Sequence, residues 1–365
     1  MKFLFINTGT KEQNAGIVRC LSLGGSLVSL GHEVIILITN NNENKNTYGY
    51  LYNNIRFVYV NKLRGLEQLG KLVAILRTKD VDIVHCMGAG SSIFFPALIA
   101  RDWFRKKIKI VLDFEDKQLL LVPENRKKIQ GWLEKIAIKK SDQIICASRL
   151  LTIEYAKSKK NVDYLPFGFD ENQINCSKRK RVGMAGKKIR MGYLGSLIDP
   201  YKEQMDFLVN SIPHFRKREV DIQIEVGGSG PLKNKYIEEV TKLGYQSELK
   251  FLGFIPDKKI EEFLGGMDVL VMSINKTPMN LYRCPHKIFL YAATSRPIVT
   301  NNIGEVGNLL KDYPNKVFFI EGCIESFVNA VREAAKLDHP IDNDYYRMNS
   351  WRRRAEQYIE IVNLI

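Results

Sequence analysis

The chain has 365 residues, 45% hydrophobic and 26% charged, enough for two ordinary domains with cores of their own. Its net charge of +15 at pH 7 calls for an anionic partner: nucleic acid, a phosphorylated substrate or an acidic membrane surface. Cys20, Cys86, Cys146, Cys176, Cys284 and Cys323 form no CxxC pair and meet no His cluster, so they read as buried thiols in a reducing compartment, not as a disulfide or metal framework. The N-terminal MKFLFIN reads as a strand, not a signal peptide. No apolar run approaches the ~20 residues of a spanning helix, and the expected location is cytoplasmic.

Strands are expected over 2–7, 32–39, 55–60, 82–87, 108–114, 143–147 and 162–166, with helices between them over 17–30, 63–79, 92–104, 126–140 and 149–158. This β-then-α order predicts a parallel, doubly wound sheet. The basic, glycine-containing stretch CSKRKRVGMAGKKIR changes the composition and is read as an interdomain linker over 176–189. A second βα series follows. Its strands are expected over 190–194, 222–226, 250–254, 269–273, 297–300 and 317–320, with helices over 204–215, 233–243, 258–264, 286–293, 306–310 and 325–335. A last Arg- and Tyr-rich helix is expected from about 344 to 361. The domains are thus 1–175, with the helix in 344–365 packing back on it, and 190–343. Two such sheets facing across a cleft would bind ligands at their carboxyl ends.

The stretch CPHKIFLYAATSRPIVTNNIGEVGNLL organises the second half. Pro285 begins a helix that is apolar almost all round and should be buried. Two helix N-termini, at His286–Lys287 and at Gly304–Glu305, are expected to flank one strand end, as a diphosphate pocket requires. Glycine turns accompany it: Thr8-Gly9-Thr10 and Asn14-Ala15-Gly16 in the first domain, then Gly195-Ser196-Leu197 with Lys202 beyond, and Gly227-Gly228-Ser229-Gly230-Pro231. Glycine lets backbone N–H groups approach a phosphate closely, although βα turns use glycine for ordinary reasons as well.

These residues carry a resemblance. VGGSGPLKNKYIEEVTKLG, LKFLGFIPDKKIEEFLGGMDVLVMS and PHKIFLYAATSRPIVTNNIGEVG resemble the C-terminal domain of GT-B glycosyltransferases, especially the retaining family 4. In the first half, Ala15-Gly16, Gly31-His32-Glu33-Val34, Asp82-Ile83-Val84-His85 and Leu165-Pro166-Phe167-Gly168-Phe169-Asp170 resemble the same family in the same order. The resemblance implies a GT-B fold and metal-independent transfer of a sugar from a nucleotide-diphosphate donor, with no cofactor besides that substrate.

It also implies the site residues. Gly195, Ser196, Lys202, Gly228, Tyr282, His286, Lys287, Leu290 and Glu305 fall at donor-side positions, and Ala15, Gly16 and His85 on the acceptor side. Two departures stand out. The family's paired glutamates are Tyr282 and Leu290 here, and leucine accepts no hydrogen bond from a ribose hydroxyl. The family's phosphate-binding arginine is Ser196. The histidine the family often carries after the fifth strand aligns with Glu115, beside Asp116. Either carboxylate suits a base or an acceptor-orienting group, while capping a helix or pairing with Lys117 explains the same residues structurally. His85 reads equally as a structural histidine. The departures keep a second function open, a catalytically impaired subunit supporting a partner transferase. A sugar-nucleotide epimerase is disfavoured because the motifs are those of transferases.

The positive charge concentrates in the first domain. Phe94, Phe95, Leu98, Ile99, Trp103 and Phe104 precede Arg105, Lys106, Lys107 and Lys109, and Leu119–Val122 precede Arg126, Lys127, Lys128, Lys135, Lys139 and Lys140. Apolar side chains beside basic ones suit an anionic membrane surface, and a core helix followed by solvated lysines explains the pattern equally. Trp103, Phe104, Arg105, Lys106 and Lys107 are the expected membrane contacts, consistent with a lipid-linked or growing glycan acceptor and a peripheral place on the inner face of a membrane. No nucleic-acid recognition module is recognisable.

Overall fold

The computed structural model describes residues 1–7, 15–40, 55–61, 65–171, 174, 188–339 and 343–365. The chain divides into two units. The first is Met1–Phe167, Tyr282–Cys284 and Trp351–Ile365; the second is Gly168–Leu281 and Pro285–Ser350.

The first unit is built on seven parallel strands: β1 (Lys2–Ile6), β2 (Glu33–Asn40), β3 (Arg56–Asn61), β4 (Ile83–Met87), β5 (Lys109–Phe114), β6 (Gln143–Cys146) and β7 (Val162–Tyr164). Their order is β3-β2-β1-β4-β5-β6-β7. The chain reverses its winding between β1 and β4, the switch point where ligands gather in such sheets. All five residues of β4 are buried, as a sheet covered on both faces requires. In the C-terminal helix Trp351–Val362 the buried residues are Trp351, Arg354, Ala355, Tyr358 and Val362. That spacing is one helical face, and it packs beside the first helix, Ala15–Ser29.

The second unit has six parallel strands: β8 (Ile189–Leu194), β9 (Ile222–Gly227), β10 (Leu249–Gly253), β11 (Val269–Met272), β12 (Ile298–Thr300) and β13 (Lys316–Phe318), ordered β10-β9-β8-β11-β12-β13. Its core includes Met191, Tyr193, Ile224, Val226, Val269, Phe327 and Val331.

The expected element order is present with boundary shifts of one or two residues. The helix expected over 344–361 is two: Asn343–Met348, in the second unit, and Trp351–Val362, in the first. Between them Phe169 bridges to Ser350. The linker reading at 176–187 and the turns at 8–14 lie outside the described residues.

Candidate active site

The first unit places a buried polar network at the carboxyl ends of its sheet. Arg19, from the first helix, is fully buried. It donates from Nε to Asp113 Oδ2 at 2.6 Å and from its two terminal nitrogens to the carbonyls of Pro166 (3.1 Å) and Leu165 (2.7 Å). His85 Nε2 lies 3.2 Å from the same Asp113 oxygen, and Nδ1 lies 3.0 Å from the Tyr358 hydroxyl. A carboxylate only accepts, so Nε2 carries the proton and Nδ1 accepts from Tyr358. Burial lowers the pKa of His85, so the ring is neutral. Burial alone would raise Asp113, but Arg19 and His85 outweigh it and hold the carboxylate below its usual range.

This corrects the reading of His85 as an acceptor-side residue. The ring is fully buried and stacked on Phe5, with centroids 4.3 Å apart. It fixes the C-terminal helix to the sheet and meets no solvent.

Glu115 and Asp116 follow β5 directly. Burial, then the charges of Asp116 and Asp113, pushes Glu115 up to about 8, so it is protonated at neutral pH. The Gly16 N–H bonds to it, while Oε2 is buried without a hydrogen-bond partner. Gly16 thus stands by the candidate carboxyl through its backbone, in the first turn of the helix that Ala15 opens. Burial also raises Asp116, against the pull of Arg283. Next to them, Lys117 Nζ pairs with both oxygens of Glu154 (2.8 and 3.0 Å) and sits 4.4 Å above the Tyr282 ring. Ser148 donates to the Tyr282 carbonyl at 2.6 Å. Tyr282 therefore belongs to the first unit and lies among these groups.

The second unit gathers groups after β8. The Lys287 ammonium lies 4.1 Å over the Tyr193 ring and 3.2 Å from Gln204 Oε1, and it would touch a Cβ placed on Gly195 at 3.0 Å. The Tyr291 hydroxyl accepts the Leu194 N–H at 2.8 Å, which holds the helix Lys287–Ala293 against the strand end. A Cβ at Gly228 would fall 1.9 Å from the Gly195 carbonyl oxygen, so glycine there lets the turns after β8 and β9 pack together. Ser196 and Lys202 are exposed, and Glu305 is buried in the first turn of Gly304–Leu309. His286 Nε2 donates to the Gly168 carbonyl at 3.2 Å. Leu290 is 5% exposed within the apolar core. Its side chain packs there, and the Leu290→Glu variant tests whether it also meets a donor. Sequence reading missed Arg19, Tyr193, Gln204 and Tyr358: for Arg19 a charged residue inside an apolar helix was an available signal, whereas Gln204 and Tyr358 lie in helices rich in charged residues and carry none.

On the first unit's surface Trp103 is 79% exposed and Phe104 42%, with Arg105 and Lys107 exposed beside them. Phe94 is fully buried and belongs to the core, not to an apolar tip. Trp132 (61%) and Ile129 (63%), three residues apart on the helix Glu124–Lys140, are exposed as well. Among the described residues no helix is long and apolar enough to cross a membrane, and no group of three His, Cys, Asp or Glu side chains could hold a metal ion.

Two parallel-sheet Rossmann-like units define the GT-B class of fold. The family model described as Glycosyltransferase Family 4 matches residues 18–173, and that described as Glycosyl transferases group 1 matches 188–336. Between them they span most of the chain, which carries both of these glycosyltransferase domains. An uncharacterized glycosyltransferase of Methanocaldococcus jannaschii is 22% identical over 95% of this chain and 93% of its own. Among solved structures, Anabaena HepE in complex with UDP and glucose superposes with a TM-score of 0.75 at 14% identity, each chain covered completely. A glycosyltransferase from Rickettsia africae gives 0.74 at 14% identity, over 99% of this chain and 97% of that one. At these identities the likeness bears on the fold.

Proposed function

We propose that the chain transfers a sugar from a nucleoside-diphosphate donor to an acceptor hydroxyl, with retention and without a metal. The second unit holds the donor, and the first supplies the acceptor-side groups. The observation that carries this reading is the Lys287 ammonium over Gly195 at the end of β8, the strand where the winding reverses. Tyr193 and Gln204 fix that cation where a diphosphate would meet both it and glycine backbone. UDP is the first nucleotide to test, because the similar Anabaena protein was solved with it. Glu115 is the acceptor-orienting carboxyl: a group titrating near 8 exchanges a proton with a hydroxyl close to physiological pH.

A lipid-linked or growing glycan acceptor is supported by the exposed Trp103 and Phe104 beside Arg105, Lys106 and Lys107, which suit an anionic membrane surface. The supporting-subunit reading rests on Leu290, which accepts no hydrogen bond from ribose, and on Ser196, which brings no charge to the phosphate where the family has arginine. A thermal-shift screen of nucleotide sugars, followed by transfer assays on isolated membranes, separates the two. A ligand of the folded state raises the melting temperature by mass action. Binding with sugar transfer supports the enzyme; binding without transfer supports the subunit.

A further inference from the structure

The amino ends of β5 and β6 carry a feature that sugar transfer does not use. A cavity of about 710 Å3 lies there, lined by the cations Arg101, Lys106, Lys107, Lys109, Lys139 and Lys140. Its two carboxylates, Asp102 and Asp142, are held by Arg101, at 2.7 and 3.0 Å. Lysines in the last turn of Glu124–Lys140 are favoured by the helix dipole, which accounts for Lys139 and Lys140. Lys106 and Lys107 belong to no helix, and Lys109 begins β5, so the dipole does not explain them. Like charges converging on one cavity repel, and a bound anion removes that repulsion.

We propose that this cavity binds a phosphate group bearing two or more negative charges, a phosphomonoester or a diphosphate. It lies at the opposite end of β5 from Glu115, roughly 20 Å away for six residue steps along the strand, and is therefore separate from the candidate active site. Trp103 and Phe104, exposed in the chain between the lining residues Asp102 and Lys106, favour the headgroup of a membrane lipid as the source, since such side chains settle at bilayer interfaces. A soluble phosphorylated compound offers the same chemistry. The proposal refines the membrane contact suggested above and stands even if the chain transfers no sugar.

The test is flotation of the full-length protein with phosphatidylcholine vesicles containing either phosphatidic acid or phosphatidylserine, at matched surface charge and physiological salt. Phosphatidic acid, a phosphomonoester, should bind about tenfold more tightly, the equivalent of one or two additional cationic contacts. Lys107→Gln should abolish the preference. Arg105→Gly should keep it. That change removes one charge beside the cavity, and Arg105 has a φ of 53°, which glycine adopts without strain. For the soluble source the probe is inorganic pyrophosphate in a Lys287→Ala background, which weakens the candidate donor site. A rise in melting temperature that Lys107→Gln removes supports the same pocket, even without vesicle binding. Equal binding to both vesicle types, together with no Lys107-dependent pyrophosphate effect, overturns the proposal.

Discussion

Arg19 and Asp113 meet inside the first unit, Nε donating to Oδ2 at 2.6 Å, with neither side chain exposed. The pair joins the first helix to β5. Arg19 also holds the carbonyls of Leu165 and Pro166, where the chain leaves β7, and its guanidinium lies 5.2 Å from the Phe167 ring. One cation thereby fixes three segments of the unit: the first helix, β5 and the stretch after β7.

Replacing Arg19 with Met leaves Asp113 buried without its main counter-charge and orphans two carbonyls. Breaking a buried pair in this way costs about 3–5 kcal/mol. The denaturation midpoint should fall with an unchanged slope, which urea titration measures. Asp113 is held below its ordinary value of 3.8, so its contribution is present above that value and lost as pH falls through and below it. The Met variant should lose that acid sensitivity.

Glu115 gives the opposite sign. Its pKa rises from 4.5 to about 8 on folding, so its contribution is fully present below pH 4.5 and lost as pH rises through 8. Glu115→Gln should therefore gain in melting temperature relative to the wild type between pH 5 and pH 9. If Glu115 acts on the acceptor hydroxyl, the same change should slow transfer by about 100-fold or more, and the wild-type rate should climb toward pH 8. Parallel melting curves across that range would show that Glu115 does not carry the shift.

Leu290→Glu restores the family's residue but places a carboxylate in the apolar interior of the second unit. Burying it unpaired should destabilise that unit by about 3 kcal/mol or more, with no gain in nucleotide affinity. Melting temperature and affinity measured on the same sample test this. A variant of unchanged stability that binds nucleotide more tightly would mean the side chain reaches the donor.

Much of the fold was legible because alternating apolar runs and glycine-marked turns are local signals. The buried strands β1, β4, β5 and β11 are mostly short apolar runs, and the parallel winding follows from the helix after each. The site was legible only where it followed such a signal: Glu115 and Asp116 end an apolar strand, and Lys287 follows Pro285. His85 was ambiguous because its partners, Asp113 and Tyr358, lie 28 and 273 residues away, a pairing that no local pattern encodes. The contacts of Tyr282 with the first unit were hidden for the same reason. The second unit's chain lends residues 282–284 to the first, where Ser148 and Lys117 hold them. Leu290 was ambiguous because a helix apolar on all faces does not reveal which face meets a ligand.

The most direct measurement is titration calorimetry of the full-length protein with UDP, GDP, ADP and dTDP, repeated on Lys287→Ala. Binding of at least one nucleotide is expected, weakened in the variant by about 1–3 kcal/mol, the range for a charge-assisted hydrogen bond. Lys287 packs on Tyr193 and Gln204 at the edge of the core, so the variant should melt within a few degrees of the wild type. No binding by any of the four, or equal binding by wild type and Lys287→Ala, would contradict a donor site at Gly195 and Lys287.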